Sequence, residues 1–114
     1  MNPLGFSKDW YRLGIVTLER VQKLERWFAT GEDPNTEHYR YRAFVEFLQS
    51  ATLSPELATE LYALGESDPD RSAGDAMLFA LINHTNCPEA LWLWAANSER
   101  ASLARLAQKK IQAQ

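Results

Sequence analysis

A chain of 114 residues with 46% hydrophobic and 24% charged residues has the size and make-up of one globular domain, residues 1–114, and excludes a wholly disordered polymer. Its net charge of −3 argues against general affinity for nucleic-acid phosphates, which takes a strongly basic face. Hydrophobic periodicity divides the chain into six predicted helices and no strands, because no segment alternates apolar and polar residues with period two.

The first predicted helix covers about residues 8–29, with Ser7 as N-cap and Asp9 in the first turn. Trp10, Leu13, Leu18, Val21, Leu24 and Phe28 share one face, and Arg12, Glu19, Lys23 and Arg26 the other. Val16 and Trp27 leave this stripe together, toward a second layer of the domain or a partner. Gly31 is a natural C-terminal stop, and Thr36 caps the next predicted helix, residues 37–50, which carries Tyr41, Phe44, Val45, Phe47 and Leu48 on a broad apolar face.

Ser54-Pro55-Glu56 combines a capping hydroxyl, a proline at N1 and a first-turn acid, so a third helix starts there and runs to Gly65. After the turn Asp68-Pro69-Asp70 comes a fourth helix, about residues 72–83. Its segment 76–82 is apolar all round, which predicts the most buried helix of the domain. Pro88-Glu89 opens a fifth helix carrying Trp92 and Trp94. These lie about 200° apart at helical spacing, so one face cannot bury both; Trp94 is the expected core residue and Trp92 the expected interfacial one. A sixth helix from Ala101 holds Leu103, Ala104, Leu106, Ala107 and Ile111. The connections are short, which makes successive helices antiparallel neighbours.

A shift of 33 residues aligns Leu48 with Leu81, Thr52 with Thr85, Pro55-Glu56 with Pro88-Glu89, Ala63 with Ala96 and Glu66 with Glu99. Such a period fits a helix-pair repeat whose units bury their apolar faces on one another. The stretch Asn83-His84-Thr85-Asn86-Cys87-Pro88-Glu89-Ala90-Leu91, preceded by Ser67-Asp68-Pro69-Asp70-Arg71, resembles the turns of leucine-rich-variant α-solenoids, and HEAT-type pairs look similar. The resemblance covers roughly residues 48–107. It departs from the family in two ways: the family's period is shorter than 33 residues, and its helices are shorter than the one between Asp70 and Asn83. Some members carry an iron–sulfur cluster, but one cysteine cannot supply the usual four ligands. The resemblance implies a short α-solenoid-like array and a binding scaffold.

Motifs for catalysis are absent: there is no Gly-rich phosphate loop, no HExxH helix, no Gly-x-Ser-x-Gly elbow and no paired-cysteine metal motif. The stretch from Asp68 fails as a calcium loop, since Ala73 and Phe79 stand where glycine and glutamate are needed. His84 and Cys87 are the most chemical-looking pair. A thiol at a helix N-terminus has a lowered pKa, so a Cys–His nucleophile or half a metal site is conceivable. The structural alternative has His84 capping the end of its own helix and Cys87 packing as a small apolar residue; no orienting acid or oxyanion donor is identifiable. His38 sits at an apolar edge; Glu32-Asp33 and Asp68, Asp70 and Asp75 have the chemistry to pair for acid–base work or bind a hard cation, but they stand where acids commonly cap helices. The basic run Arg100, Arg105, Lys109 and Lys110 suits a solvated helix end.

With one cysteine, Cys87, no internal disulfide or multi-thiolate cluster forms. The first ten residues lack a signal-peptide pattern, and the longest apolar runs, 76–82 and 90–96, fall far short of the ~20 residues needed to span a bilayer. The expected location is the cytoplasm, with no membrane contact. These features point to an all-α domain of five or six antiparallel helices acting as a non-enzymatic protein-interaction module. It would self-associate or neutralise a basic partner as immunity-type inhibitors do. Val16, Trp27 and Trp92 are the interaction candidates; no catalytic, cofactor or metal residue is assigned. The alternatives are a small enzyme or metal site using His84 and Cys87, and nucleic-acid binding through the C-terminal basic helix.

Overall fold

The computed structural model describes residues 4–31 and 38–114. Among these, the chain forms seven α-helices and no strand: α1 Lys8–Arg12, α2 Leu18–Thr30, α3 Tyr39–Ser50, α4 Pro55–Glu66, α5 Arg71–Ile82, α6 Glu89–Ala96 and α7 Ala101–Gln112. The all-α reading holds. None of the helices is long and apolar enough to cross a membrane. Thr36 and the acids Glu32 and Asp33 lie outside the described residues.

The single long first helix expected from periodicity is two helices. Gly14 takes a left-handed φ of 80°, where glycine has no Cβ penalty. The amides of Ile15 and Val16 both turn back to the Trp10 carbonyl. Thr17 then restarts the chain as an N-cap, its hydroxyl accepting from the Arg20 amide at 3.2 Å. The break rotates everything after it. Ile15 and Val16 are driven into the core, whereas Leu18, which belongs to the expected stripe, is 65% exposed. Ser7 occupies the N-cap position of α1 without a side-chain capping bond.

Caps set the remaining starts. Ser54 accepts from the Leu57 amide at 3.1 Å with Pro55 at N1, and Asp70 accepts from the amides of Ser72 and Ala73. Gly31 ends α2 in the left-handed conformation at φ 69°. Gly65 does not end α4. The helix continues to Glu66, and the glycine serves packing instead: a Cβ there would meet Leu78 Cδ2 at 2.8 Å. Its partner in α5 is Gly74, where a Cβ would fall 2.5 Å from the Gly65 carbonyl oxygen. The two helices thus cross with backbone almost against backbone.

α5 is the central helix, packed against α3, α4, α6 and α7. Met77, Leu78, Leu81 and Ile82 are all 0% exposed. An aromatic cluster closes the N-terminal end, with edge-to-face contacts of Phe6 with Trp10 and Tyr39, and of Trp10 with Phe44. Arg40 binds both carboxylate oxygens of Asp68 (2.8 and 3.1 Å) and donates to the Leu4 carbonyl. It thereby joins α3, the α4–α5 turn and the N-terminal segment. α6 and α7 run antiparallel: Gln114 reaches Glu89, Lys110 covers Trp92 and Gln108 donates to the Ala96 carbonyl. The whole measures 48 × 25 × 22 Å.

Leu78→Ala is expected to lower stability by about 2–5 kcal/mol through the cavity it leaves. Gly74→Ala should destabilise by about 1–3 kcal/mol despite alanine's better helix propensity, because rigid backbone occupies the space. Gly65→Ala should cost less, since a side-chain end can move away. Urea unfolding of the three variants tests this order; a Gly74→Ala protein as stable as the parent contradicts the backbone contact.

Candidate functional site

α6 is unusual in having tryptophans on both sides. Its covered face is Leu91, Trp92, Ala95 and Ala96, positions that meet at helical spacing and lean on α7 and α5. Ala95 is fully buried, as are Leu103 and Ala107 of α7, and α6 and α7 pack closely, with small residues on the covered side. Trp94 points the other way and is 49% exposed, with neighbouring Leu93 56% exposed. The expected assignment of the tryptophans is therefore reversed: Trp92 is the partly buried ring and Trp94 the exposed one. The signal that identifies the true face is the Ala95-Ala96 pair, which marks where a neighbouring helix comes nearest.

Trp94 rests edge-to-face on Tyr62 of α4, with ring centres 5.8 Å apart. The two rings form one wall of a groove of about 480 Å³ bounded also by Glu66, Arg71, Glu99 and Arg100. Burial raises the pKa of the Tyr62 hydroxyl above its ordinary value, Glu66 adds to the rise, and Arg100 opposes it. Arg100 forms the polar floor. Its guanidinium binds Asp75 and donates to the carbonyls of Arg71 and Glu66, so it satisfies the end of α4. Held between one carboxylate and two carbonyls, Arg100 is positioned rather than free. Arg71, at the first residue of α5, is exposed.

The three interaction candidates fall elsewhere. Val16 is part of the domain's own core, the first of its two expected environments. Trp27 and Trp92 are partly buried against that core. Each is roofed by a lysine: Lys23 Nζ lies 5.3 Å from the Trp27 ring centre, and Lys110 Nζ 5.9 Å from that of Trp92. The buried Trp92 indole N–H has no hydrogen-bond partner among the described residues.

His84 and Cys87 do come together in the turn between α5 and α6, through backbone: the Cys87 amide donates to the His84 carbonyl at 3.0 Å. The His84 ring is occupied on both sides. Nδ1 accepts from the Asn86 amide at 3.0 Å, which leaves Nε2–H to donate to the Leu48 carbonyl at 3.2 Å. Leu48 lies in the last turn of α3, so His84 caps α3 rather than its own helix. Cys87 is buried, and its thiol is pushed up to about 11, mainly by burial, with Lys110 and the Trp92 indole opposing. That is the reverse of an activated thiolate. Among the described residues, no three His, Cys, Asp or Glu side chains gather where a metal ion would be held. His38 is exposed and stands at the N-cap of α3 without a capping bond.

Comparison with known protein families, with curated proteins and with solved structures finds no match to this chain.

The Cys87 thiol has a folded pKa above its unfolded value, so its contribution to stability is fully present below pH 9 and lost as pH rises toward about 11. Unfolding free energy should fall across that window, and Cys87→Ala should flatten the fall. At pH 8 the native thiol should react with a disulfide reagent far more slowly than the urea-unfolded chain; equal rates would show an accessible thiolate.

Proposed function

We propose that the chain is a non-enzymatic protein-interaction module whose docking surface is the groove beside Leu93 and Trp94. The observation that carries this reading is that the half-exposed Trp94 walls a groove together with Tyr62, next to an exposed Leu93. A small domain gains little in its own stability from apolar surface turned to water, and exposed apolar surface beside a concavity commonly marks a binding site. A tryptophan already seated against Tyr62 is also pre-organised, so less side-chain freedom is lost on binding.

The architecture behind the groove supports a two-unit helical repeat. α4 with α5 and α6 with α7 are two helix hairpins, and α4 touches α6 as α5 touches α7. The 33-residue shift that aligns Pro55 with Pro88 aligns the starts of the two first helices. In stacked helix pairs, the surface between successive units is a usual place to bind a partner. The groove, walled by Tyr62 of α4 and Trp94 of α6, lies at that junction.

Trp94→Ala should leave the far-UV spectrum unchanged and cost under about 1 kcal/mol of stability, as expected for a half-exposed ring. Trp10→Ala should cost about 3–5 kcal/mol. A photo-crosslinking residue at position 93 should capture one defined protein in the native host, and the same residue at position 105 should not. Equal capture at both positions, or none at 93, refutes the assignment.

A further inference from the structure

The charges of this chain are segregated along it. Between Ala43 and Glu99 the only lysine or arginine is Arg71. The adjacent helices α4 and α6 carry Glu56, Glu60, Glu66 and Glu89 and no cation. All four glutamates are exposed. Glu60 is paired with Arg12 at 2.7 Å and Glu89 accepts from Gln114, whereas Glu56 and Glu66 form no ion pair among the described residues. Glu66 and Glu99 both line the Trp94 groove. Among the described residues Arg71 is the one unpaired cation lining it, since the charge of Arg100 is taken up by Asp75.

With Arg100 neutralised by Asp75, the groove beside Trp94 sets two carboxylates, Glu66 and Glu99, against the single charge of Arg71, and such an imbalance selects an occupant by charge. We infer that the groove receives a basic segment of a partner protein, an apolar side chain seating on Trp94 while flanking lysines or arginines face Glu66 and Glu99. The inference rests on the docking reading above and specifies the partner's chemistry. Phosphate backbones and anionic headgroups carry the wrong sign for this surface. A twofold dimer through the same patch would pair it with itself, offering two carboxylates, Glu66 and Glu99, against one unpaired guanidinium, Arg71, in each copy.

Three synthetic amphipathic helical peptides test it, with one leucine face and a polar face of lysine, glutamine or glutamate. Each is titrated into the full chain labelled with ¹⁵N, and the Trp94 indole signal is followed. The lysine peptide should shift this signal saturably, with affinity falling at least ~10-fold between low and high salt, as expected for charge-steered docking. The glutamate peptide should not shift it. Glu66→Gln combined with Glu99→Gln should weaken the lysine peptide several-fold, and Trp94→Ala should abolish the response. If the glutamine peptide binds as tightly as the lysine peptide, the basic-partner inference fails while the docking groove stands. If the lysine peptide binds equally well to Trp94→Ala, attraction is non-specific and the inference fails. If no peptide moves Trp94, inference and docking reading fall together. Sedimentation of the unliganded chain adds one more arm: a dimer that Trp94→Ala dissociates would make a second copy the occupant and overturn the inference.

Discussion

The contact between Gly65 and Gly74 sets the geometry of the C-terminal part of this domain. With no Cβ on either residue, the Gly65 carbonyl fills the space that an α5 side chain would otherwise take. That close approach seats Leu78 against α4 and lets α5 be enclosed by four neighbouring helices. It also brings the end of α4 and the start of α5 near enough for one guanidinium, that of Arg100, to bridge Glu66, Arg71 and Asp75. The floor of the groove is thus a consequence of a glycine pair. A Cβ at Gly74 would also lie 3.4 Å from that guanidinium, so contact and floor are mechanically linked.

A second tie acts at the other end. The Asp68 side chain is 1% exposed and held bidentately by Arg40. It also accepts from the Asp70 amide, which shapes the turn that presents Asp70 as the cap of α5. Desolvating two charges offsets much of their attraction, so such a pair adds little net stability while its half-removal is costly. Its structural effect is to align three separate pieces: the Leu4 carbonyl, α3 and the α4–α5 turn. The exposed pairs Arg12–Glu60 and Arg20–Glu46 join α1 to α4 and α2 to α3, but solvated pairs of this kind contribute little.

The distribution of aromatic rings separates structure from use. Trp10 and Phe44 are sealed in the core, and the lysines over Trp27 and Trp92 place charge over those rings. Trp94 has no such roof. Its one described ring contact is Tyr62, so it remains the least protected indole of the four. Beside it Glu66 and Glu99 outnumber the one unpaired cation, Arg71, because Arg100 is neutralised by Asp75 and α4 and α6 contain no cation; Lys110 of α7 lies on the opposite, Trp92 side.

What the sequence alone determined is local. The start at Ser54-Pro55-Glu56, the turn through Asp70 followed within a residue by the next helix, the stop at Gly31, the all-apolar run of α5 and the absence of strands among the described residues were legible because capping and periodicity depend on residues within a turn or two of each other. The same local logic misled where glycine has two uses. Gly14 was hidden inside an apparently continuous stripe although it breaks the helix, and Gly65 looked like a stop although it admits a neighbouring backbone. His84 seemed to serve its own helix, yet its ring caps α3, thirty-six positions away. The fate of Trp92 and Trp94 was likewise undecidable from α6 alone, since its sequence has large apolar residues all round. Only the tertiary structure chose, because burial depends on which side a neighbouring helix covers, and that choice followed the small Ala95 and Ala96 that let α7 approach.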